Sequence, residues 1–459
     1  MKEFLRNHIL KITLAFLLVQ PFIDIATSLL VRFSEASLTF GMVIRFAFLA
    51  LILIYCFFIC QTRLKKYFIV YMIVLALYSV AYMALRVTSS GEEALFTAAK
   101  TLLKSFYFVL ILICFSLIYH EQKKTIDSKY LAIIAACFAG ALLIAIISGT
   151  DFISYKYGKL GSSGWFYAPN EVGTIIGVLF PFMVCYVAAS LNPFRLVKFL
   201  ASLVVLILYI ALSLNIGTKV PMLSVLLTLG GMGVVNVIRI FISRHKKRCL
   251  LMALGAFLLL AGTTAVLPVT AAGQNLSTHM ASVGMEGVQD FFIVEETTND
   301  QNVPEDQDRQ ESSDTNINSK NVIYSSRDVY LEQAKENYKA TPTIEKLLGA
   351  GPGNMVEMDF HDIFFQFGIV GFIIYITPLV FIIVVTLIRV IRKLKLCILD
   401  NIIVSMAMGL MLSLFIGLVS GHVFTAPAVS IYPAICLAGL ISVLDKNLWD
   451  EWHCDKELN

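Results

Sequence analysis

The sequence predicts an all-α polytopic membrane protein with about 12 transmembrane helices and a large, partly helical external loop between helices nine and ten. Three observations carry this. Of 459 residues, 58% are hydrophobic and 15% charged, with a mean hydropathy of +0.78. Soluble domains run about 45–50% apolar and about a quarter charged, and they need polar surface to cover themselves. Apolar runs of membrane-crossing length recur along the chain, and the basic residues alternate between the loops that join them. The composition excludes a soluble enzyme, a disordered chain and a disulfide-rich secreted module. Nucleic-acid binding is excluded too, because Lys and Arg are scattered between apolar runs rather than gathered on one face.

Crossing about 30 Å of hydrocarbon takes roughly 20 helical residues. The runs are 9–31, 38–60, 67–86, 94–119, 130–149, 169–190, 196–214, 220–242, 249–269, 360–388, 398–419 and 427–444. The first is too long for the core of a signal peptide and is interrupted by Gln20, Pro21 and Asp24, so it reads as an uncleaved helix. Arg63/Lys65/Lys66, Lys123/Lys124/Lys129, Arg195/Lys198, Arg244/Lys246/Lys247/Arg248 and Arg392/Lys393/Lys395 fill the even-numbered loops, with Lys2 and Arg6 at the start. Cytoplasmic loops retain Lys and Arg, so both termini are expected in the cytoplasm. The cysteines fall in spans or at cytoplasmic positions, so no structural disulfide is expected. No Cys/His grouping has zinc-ligand spacing.

The segment 270–359 stands apart. From Glu295 to Asn321 it is polar with almost nothing to bury, which reads as mobile. Residues 324–353 read as helical. Ser325-Ser326-Arg327-Asp328 has the form of a capping box, and Tyr330, Ala334 and Tyr338 follow at helical spacing. Thr341-Pro342 reads as an N-cap followed by a helix-starting proline, and that short helix should stop at Gly349. Asp359 should cap the tenth span. His361 then sits in its first turn, where the helix dipole keeps an imidazole neutral, as a general base requires. Position alone favours the plainer readings, a surface Arg327 and an interfacial His361.

Charges within spans, or on the outer side, mark function by default. Asp24 and Arg45 lie at matching depths in spans one and two, and read as a structural ion pair. Arg86, Lys100, Lys104, Lys219 and Arg327 are outer-side cations, where the topology rule thins such residues out. The 270–359 segment around them is otherwise acidic, with about 16 Asp/Glu against 6 Lys/Arg. Snorkelling to headgroups accounts for Arg86 and poorly for Lys104. An anion bound at the outer border of the bilayer accounts for the group, and a lipid-linked diphosphate meets that requirement.

Four local patterns then resemble the O-antigen ligase and polymerase superfamily, membrane glycosyltransferases of bacterial surface polysaccharides. They are Gly164-Trp165-Phe166-Tyr167-Ala168-Pro169-Asn170-Glu171, Gly217-Thr218-Lys219, Ser326-Arg327-Asp328, and Gly349-x-Gly351-x-Gly353 followed by His361 and Gly368-Ile369-Val370-Gly371. They cover roughly residues 160–375. Gln20-Pro21-Phe22-Ile23-Asp24 also looks like relatives from Gram-positive bacteria. Lys219 stands where the family usually has Arg, and cannot make a two-pronged contact to phosphate; Asp362 stands where it usually has Asn.

The resemblance implies metal-independent transfer of an oligosaccharide from a polyprenyl diphosphate to a hydroxyl of an acceptor glycan, at the outer face of the bacterial cytoplasmic membrane. It implies no cofactor. Arg327 and Lys219 would hold the diphosphate and His361 would act as base, with Asn170, Glu171, Lys100, Lys104 and Arg86 as further outer-cavity candidates. Polymerase and ligase stay open, because both draw on the same donor. A flippase or other transporter of lipid-linked oligosaccharide is the alternative, although the halves show no repeat of the kind common in transporters.

Overall fold

The structure, a computed structural model, describes residues 2–33, 38–155, 158–191, 196–282, 327–353 and 355–445. Nine long helices come first: α1 (Lys2–Phe33), α2 (Phe40–Phe58), α3 (Lys65–Ser90), α4 (Ala94–Gln122), α5 (Ser128–Ile147), α6 (Pro169–Ala189), α7 (Leu196–Asn215), α8 (Lys219–Ile242) and α9 (Lys246–Val266). A single turn at Leu267–Val269 leads to α10 (Ala271–Ser282). Then come α11 (Arg327–Ala340), α12 (Thr343–Leu348), α13 (Asp359–Arg392), α14 (Leu394–Leu399), α15 (Asn401–Val419) and α16 (Pro427–Val443). Among the described residues the sheet is one small antiparallel hairpin, β1 (Phe152–Ile153) with β2 (Ser162–Gly164).

Eleven helices are long and apolar enough to cross a membrane, and α16 is a shorter apolar helix of 17 residues. The chain is therefore an all-α multi-pass membrane protein, and each of the twelve apolar runs falls on one of these helices. The segment Glu295 to Asn321 and the capping residues Ser325 and Ser326 lie outside the described residues.

Side-chain caps set several helix starts. Thr39 accepts from the Met42 amide at 3.4 Å, Asp127 from Lys129 at 2.9 Å, and Asp400 from Ile402 at 2.7 Å. Each occupies an amide that the helix leaves unpaired. At α6 and α16 a proline opens the helix, where its missing N–H costs nothing. Thr341 behaves otherwise than expected. Pro342 takes the cap position of α12, and the Thr341 hydroxyl turns back to the Asn337 carbonyl at 3.0 Å. Gly349 does end α12, in a left-handed conformation (φ 114°).

The core is built around α4, α6 and α16. Nearly every residue of α16 is buried, which a helix apolar on all sides requires. Small residues such as Ala434, Ala438 and Gly439 let its neighbours approach; a Cβ on Gly439 would lie 2.9 Å from Met406. Polar bonds tie the helix ends on one face. Arg6 reaches Gln61 (2.8 Å) and Glu121 (3.1 Å), Tyr55 reaches Glu121 (2.6 Å), and Arg389 pairs with Asp445 (3.4 Å). The start of α1 is thus tied to the ends of α2 and α4, and Asp445, just past α16, to the end of α13. The face where α9 ends and α13 begins carries α10, α11 and α12 and is called the loop face below.

At 34 residues α13 is continuous in outline but broken at Gly368, whose backbone is non-helical (φ 65°, ψ −173°). The expected span 360–388 falls within this helix, which the break at Gly368 divides. A Cβ at Gly368 would strike the Gly349 amide and the Leu347 carbonyl at 2.7 Å. The break loosens backbone carbonyls in an apolar setting, where an unmade hydrogen bond costs several kcal/mol. Tyr78 of α3 answers this, its hydroxyl lying 2.7 Å from the Phe367 carbonyl and 2.9 Å from the Leu348 carbonyl. Gly371 leaves room for that phenol, which a Cβ would meet at 2.2 Å. Tyr78→Phe should therefore cost about 1–3 kcal/mol and lower the thermal midpoint of the detergent-solubilised protein. A midpoint equal to the native one would show that the break needs no such support.

Candidate functional site

Lys219 is placed by the turn before it. Gly217 is left-handed (φ 82°), and a Cβ there would sit 2.2 Å from the Leu160 carbonyl. Asn275 of α10 fastens the two strands of chain that meet here. Its amide donates to the carbonyls of Leu160 (2.6 Å) and Gly217 (2.8 Å), and its oxygen accepts from the Leu160 amide (2.7 Å). Ser154 donates to the Ile216 carbonyl at 2.7 Å. On the other side, Gly173 and Gly177 of α6 let Thr218, Pro221 and Ser224 of α8 come close. The Gly-Thr-Lys pattern is thus a tightly held corner that delivers a lysine to the start of a helix.

Arg327, the first residue of α11, meets Lys219 across a cavity of about 330 Å³. Apart from the two cations, its walls are mainly apolar side chains of α8 and α15, among them Leu223, Leu227, Leu412 and Phe415. Lys159 joins the same electrostatic neighbourhood, since its charge and that of Arg327 both act on Lys219. Tyr155 is a further neighbour. Burial pushes its phenol up, and the Arg327 guanidinium pulls it part of the way back. From the rim, Glu357 accepts a 3.0 Å ion pair from Arg327.

Glu357 leads into the first turn of α13. Asp359 does not cap its own helix as expected; Met358 occupies that position. Its carboxylate is fully buried and instead accepts from the amides of His422 (3.0 Å), Val423 (2.9 Å) and Phe424 (2.8 Å) and from the Thr425 hydroxyl. Asp362 accepts from the Val356 amide at 2.6 Å and so closes the turn before the helix. His361 lies between these two residues in sequence. It is half-buried, it lies within electrostatic reach of Lys335 on α11, and its Nδ1 is buried without a hydrogen bond. It does not line the Lys219–Arg327 cavity. Arg327 and Lys335 lie eight residues apart on α11, about 12 Å along the helix axis.

The remaining candidates divide. Asp24 and Arg45 form a buried ion pair, with Gln20 accepting a second bond from Arg45 at 3.0 Å. Both line a second loop-face cavity of about 380 Å³, together with Lys104 and Glu171. Glu171 lies within electrostatic reach of Asp24, Lys104, Arg45 and His422. Arg86, Lys100 and Asn170 line neither cavity. Arg86 is held by Glu345 (3.4 Å) and Ser90 (2.8 Å), and its guanidinium packs on Gly351; it fastens α12 to α3. Asn170 sits in the first turn of α6, where its carbonyl accepts from Thr174 at 2.8 Å.

Sequence reasoning missed Tyr155, Lys159 and His422. A signal for His422 existed, since Gly421-His422 interrupts an apolar stretch just past the end of a span. Tyr155 and Lys159 carried none beyond being polar loop residues. Among the described residues, no group of three or more His, Cys, Asp or Glu is placed to hold a metal ion.

Comparison with known proteins adds one finding. No curated protein and no solved structure matches the chain. A family model does match, that of the O-antigen ligase like membrane proteins, over residues 6–447. With nearly its whole length matched, the chain belongs to the O-antigen ligase like membrane proteins, a family of membrane glycan ligases and polymerases.

Proposed function

We propose that the protein moves an oligosaccharide from a polyprenyl diphosphate to a hydroxyl of an acceptor glycan, and that the loop face is the outer face of the bacterial cytoplasmic membrane. One observation carries the reading. Two cations from distant parts of the chain, Lys219 and Arg327, meet at a cavity whose other walls are mainly apolar. A ligand with an anionic head and a hydrocarbon tail suits such a cavity; a sugar alone or a fatty chain alone does not.

The chemistry follows from charge. The acceptor oxygen attacks the anomeric carbon of the donor sugar as the bond from that carbon to the diphosphate oxygen breaks. The diphosphate leaves with the bonding electrons, and the acceptor proton passes to a base. Lys219 and Arg327, with Lys159 nearby, stabilise the negative charge that develops on the leaving oxygen. Fixed positive groups that need no reorganisation are effective at this. Lys219 contributes as a point charge, and Arg327 supplies the planar, multi-donor contact. His361 is the base. It sits in the first turn of α13, and the neighbouring carboxylates of Asp359 and Asp362 are already engaged with backbone amides, which supports a half-buried ring kept for substrate.

The transporter reading draws on one feature, the broken helix α13, because interrupted helices are common where transporters bind substrate. The break here is closed by Tyr78 and packed against α12, which favours a fixed scaffold.

Purified protein should bind decaprenyl diphosphate. Lys219→Ala and Arg327→Ala should each weaken that binding by about 10- to 100-fold, the size of one lost charge-assisted contact, and Lys219→Arg should keep it. Unchanged affinity in both alanine variants would remove the diphosphate assignment. His361→Ala should bind decaprenyl diphosphate normally yet leave cells without the glycan product; normal product would end its role as base. In liposomes, movement of labelled lipid-linked oligosaccharide without joining of sugars would favour transport.

A further inference from the structure

The second cavity differs in chemistry from the first. Helix α6 separates them: Glu171, Val172 and Ile175 line the second cavity, and Gly173 and Gly177 pack against α8 on the far side of the helix. Two cations, Arg45 and Lys104, are matched there by two carboxylates, Asp24 and Glu171. A balanced set has no net attraction for an anion, so a phosphate gains nothing by entering. The cavity is instead rich in acceptors. Asp24 uses one oxygen on Arg45, and its Oδ2 has no hydrogen bond. Among the described residues no hydrogen bond reaches the Glu171 carboxylate. Acceptors left unmade in a part-buried site are costly unless a donor arrives. The rings of Phe138, Phe166 and Tyr167 supply flat apolar walls, and Tyr167 is 60% exposed.

Hydroxyl donors on one edge and a C–H face on the other are the groups of a neutral sugar, and each has its counterpart here. The cavity is also joined to the donor site. The chain from Val419 and Ser420, at the first cavity, to Pro427 and Ala428, at the second, is clamped between them by Asp359, two residues from His361.

We propose that this second cavity holds the sugar of the acceptor glycan, with Glu171 and Asp24 accepting hydrogen bonds from its hydroxyls and Tyr167 packing against its face. The proposal rests on the donor reading above for the identity of the reaction, and the cavity's chemistry supports sugar binding independently of it.

The probe is the oligosaccharide released by mild acid from the surface polymer of the cells that make this protein. Its binding to the full-length protein is read by saturation-transfer NMR, and its use as acceptor by transfer from lipid-linked oligosaccharide extracted from the same cells. Glu171→Gln should abolish the NMR signal and raise the acceptor KM about tenfold, with decaprenyl diphosphate affinity unchanged within twofold. Tyr167→Ala, a surface change that spares folding, should show the same split and decides the matter if Glu171→Gln does not fold. No oligosaccharide signal in the native protein, native acceptor KM in the folded variants, or equal loss of decaprenyl diphosphate binding overturns the proposal. If the native protein binds the oligosaccharide through Glu171 but not decaprenyl diphosphate, the donor reading fails and this one stands.

Discussion

The carboxylate of Asp359 is the contact on which the loop face depends. Between α15 and α16 the chain must turn among apolar side chains, so its amides have no water to bond. Each unmet amide there would cost several kcal/mol. Asp359 takes three of them and a hydroxyl besides, while sitting at the first turn of α13. One buried acid therefore fixes the helix that bears His361 and the segment that links the two cavities. The backbone around it is strained in a telling way. Glu357 and His422 both have φ of 60°, and Gly421 beside them is left-handed (φ 66°) at a place where a Cβ would also strike the Glu357 carbonyl at 2.4 Å. Left-handed backbone at non-glycine residues persists only where the surroundings over-determine it, and such residues gather at functional sites.

From that scaffold two environments follow, one on each side of α6. Toward α8 the small residues Gly173 and Gly177 bring the backbones together and leave Lys219 at the helix start, facing Arg327. Away from α8 the same helix presents Glu171 to a pair of cations and a second acid. The first environment suits an anion with a tail. The second suits a neutral partner that donates hydrogen bonds. A glycan transfer needs both, held apart until the reacting atoms meet, and a single rigid helix between them provides the separation.

Much of this was legible beforehand, for physical reasons that differ by residue. Spans can be read because the bilayer demands about 20 apolar residues wherever the chain crosses. Lys219 and Arg327 stood out because a cation on the outer side violates the charge rule and so needs a reason. Asp24 and Arg45 could be matched by depth alone, since two charges at the same level in neighbouring helices have little choice but each other. Legibility ended where a role depends on distant chain. Asp359 looked like a helix cap, because nothing local says that a loop some sixty residues later needs its oxygens. Thr341 looked like a cap because Ser, Thr, Asp and Asn usually are, yet its hydroxyl bonds backward. The break at Gly368 was hidden because the sequence is apolar on both sides of it, and hydropathy cannot distinguish a bent helix from a straight one.

The break at Gly368 also decides how His361 is aimed. Unbroken, 34 residues of α13 would extend about 51 Å, well beyond about 30 Å of hydrocarbon, and the direction of the first turns would be dictated by packing inside the bilayer. Interrupting the helix at Gly368 frees residues 359–367 from that constraint. Their direction is set instead by what they touch at the loop face: Tyr338 of α11, whose ring lies 5.4 Å from Phe364 and 5.6 Å from Phe365, and the Asp359 clamp. Arg327 begins the same α11 helix. The imidazole and the guanidinium are therefore positioned by one shared element rather than by two separate spans, so their relation survives the small shifts that membrane helices undergo.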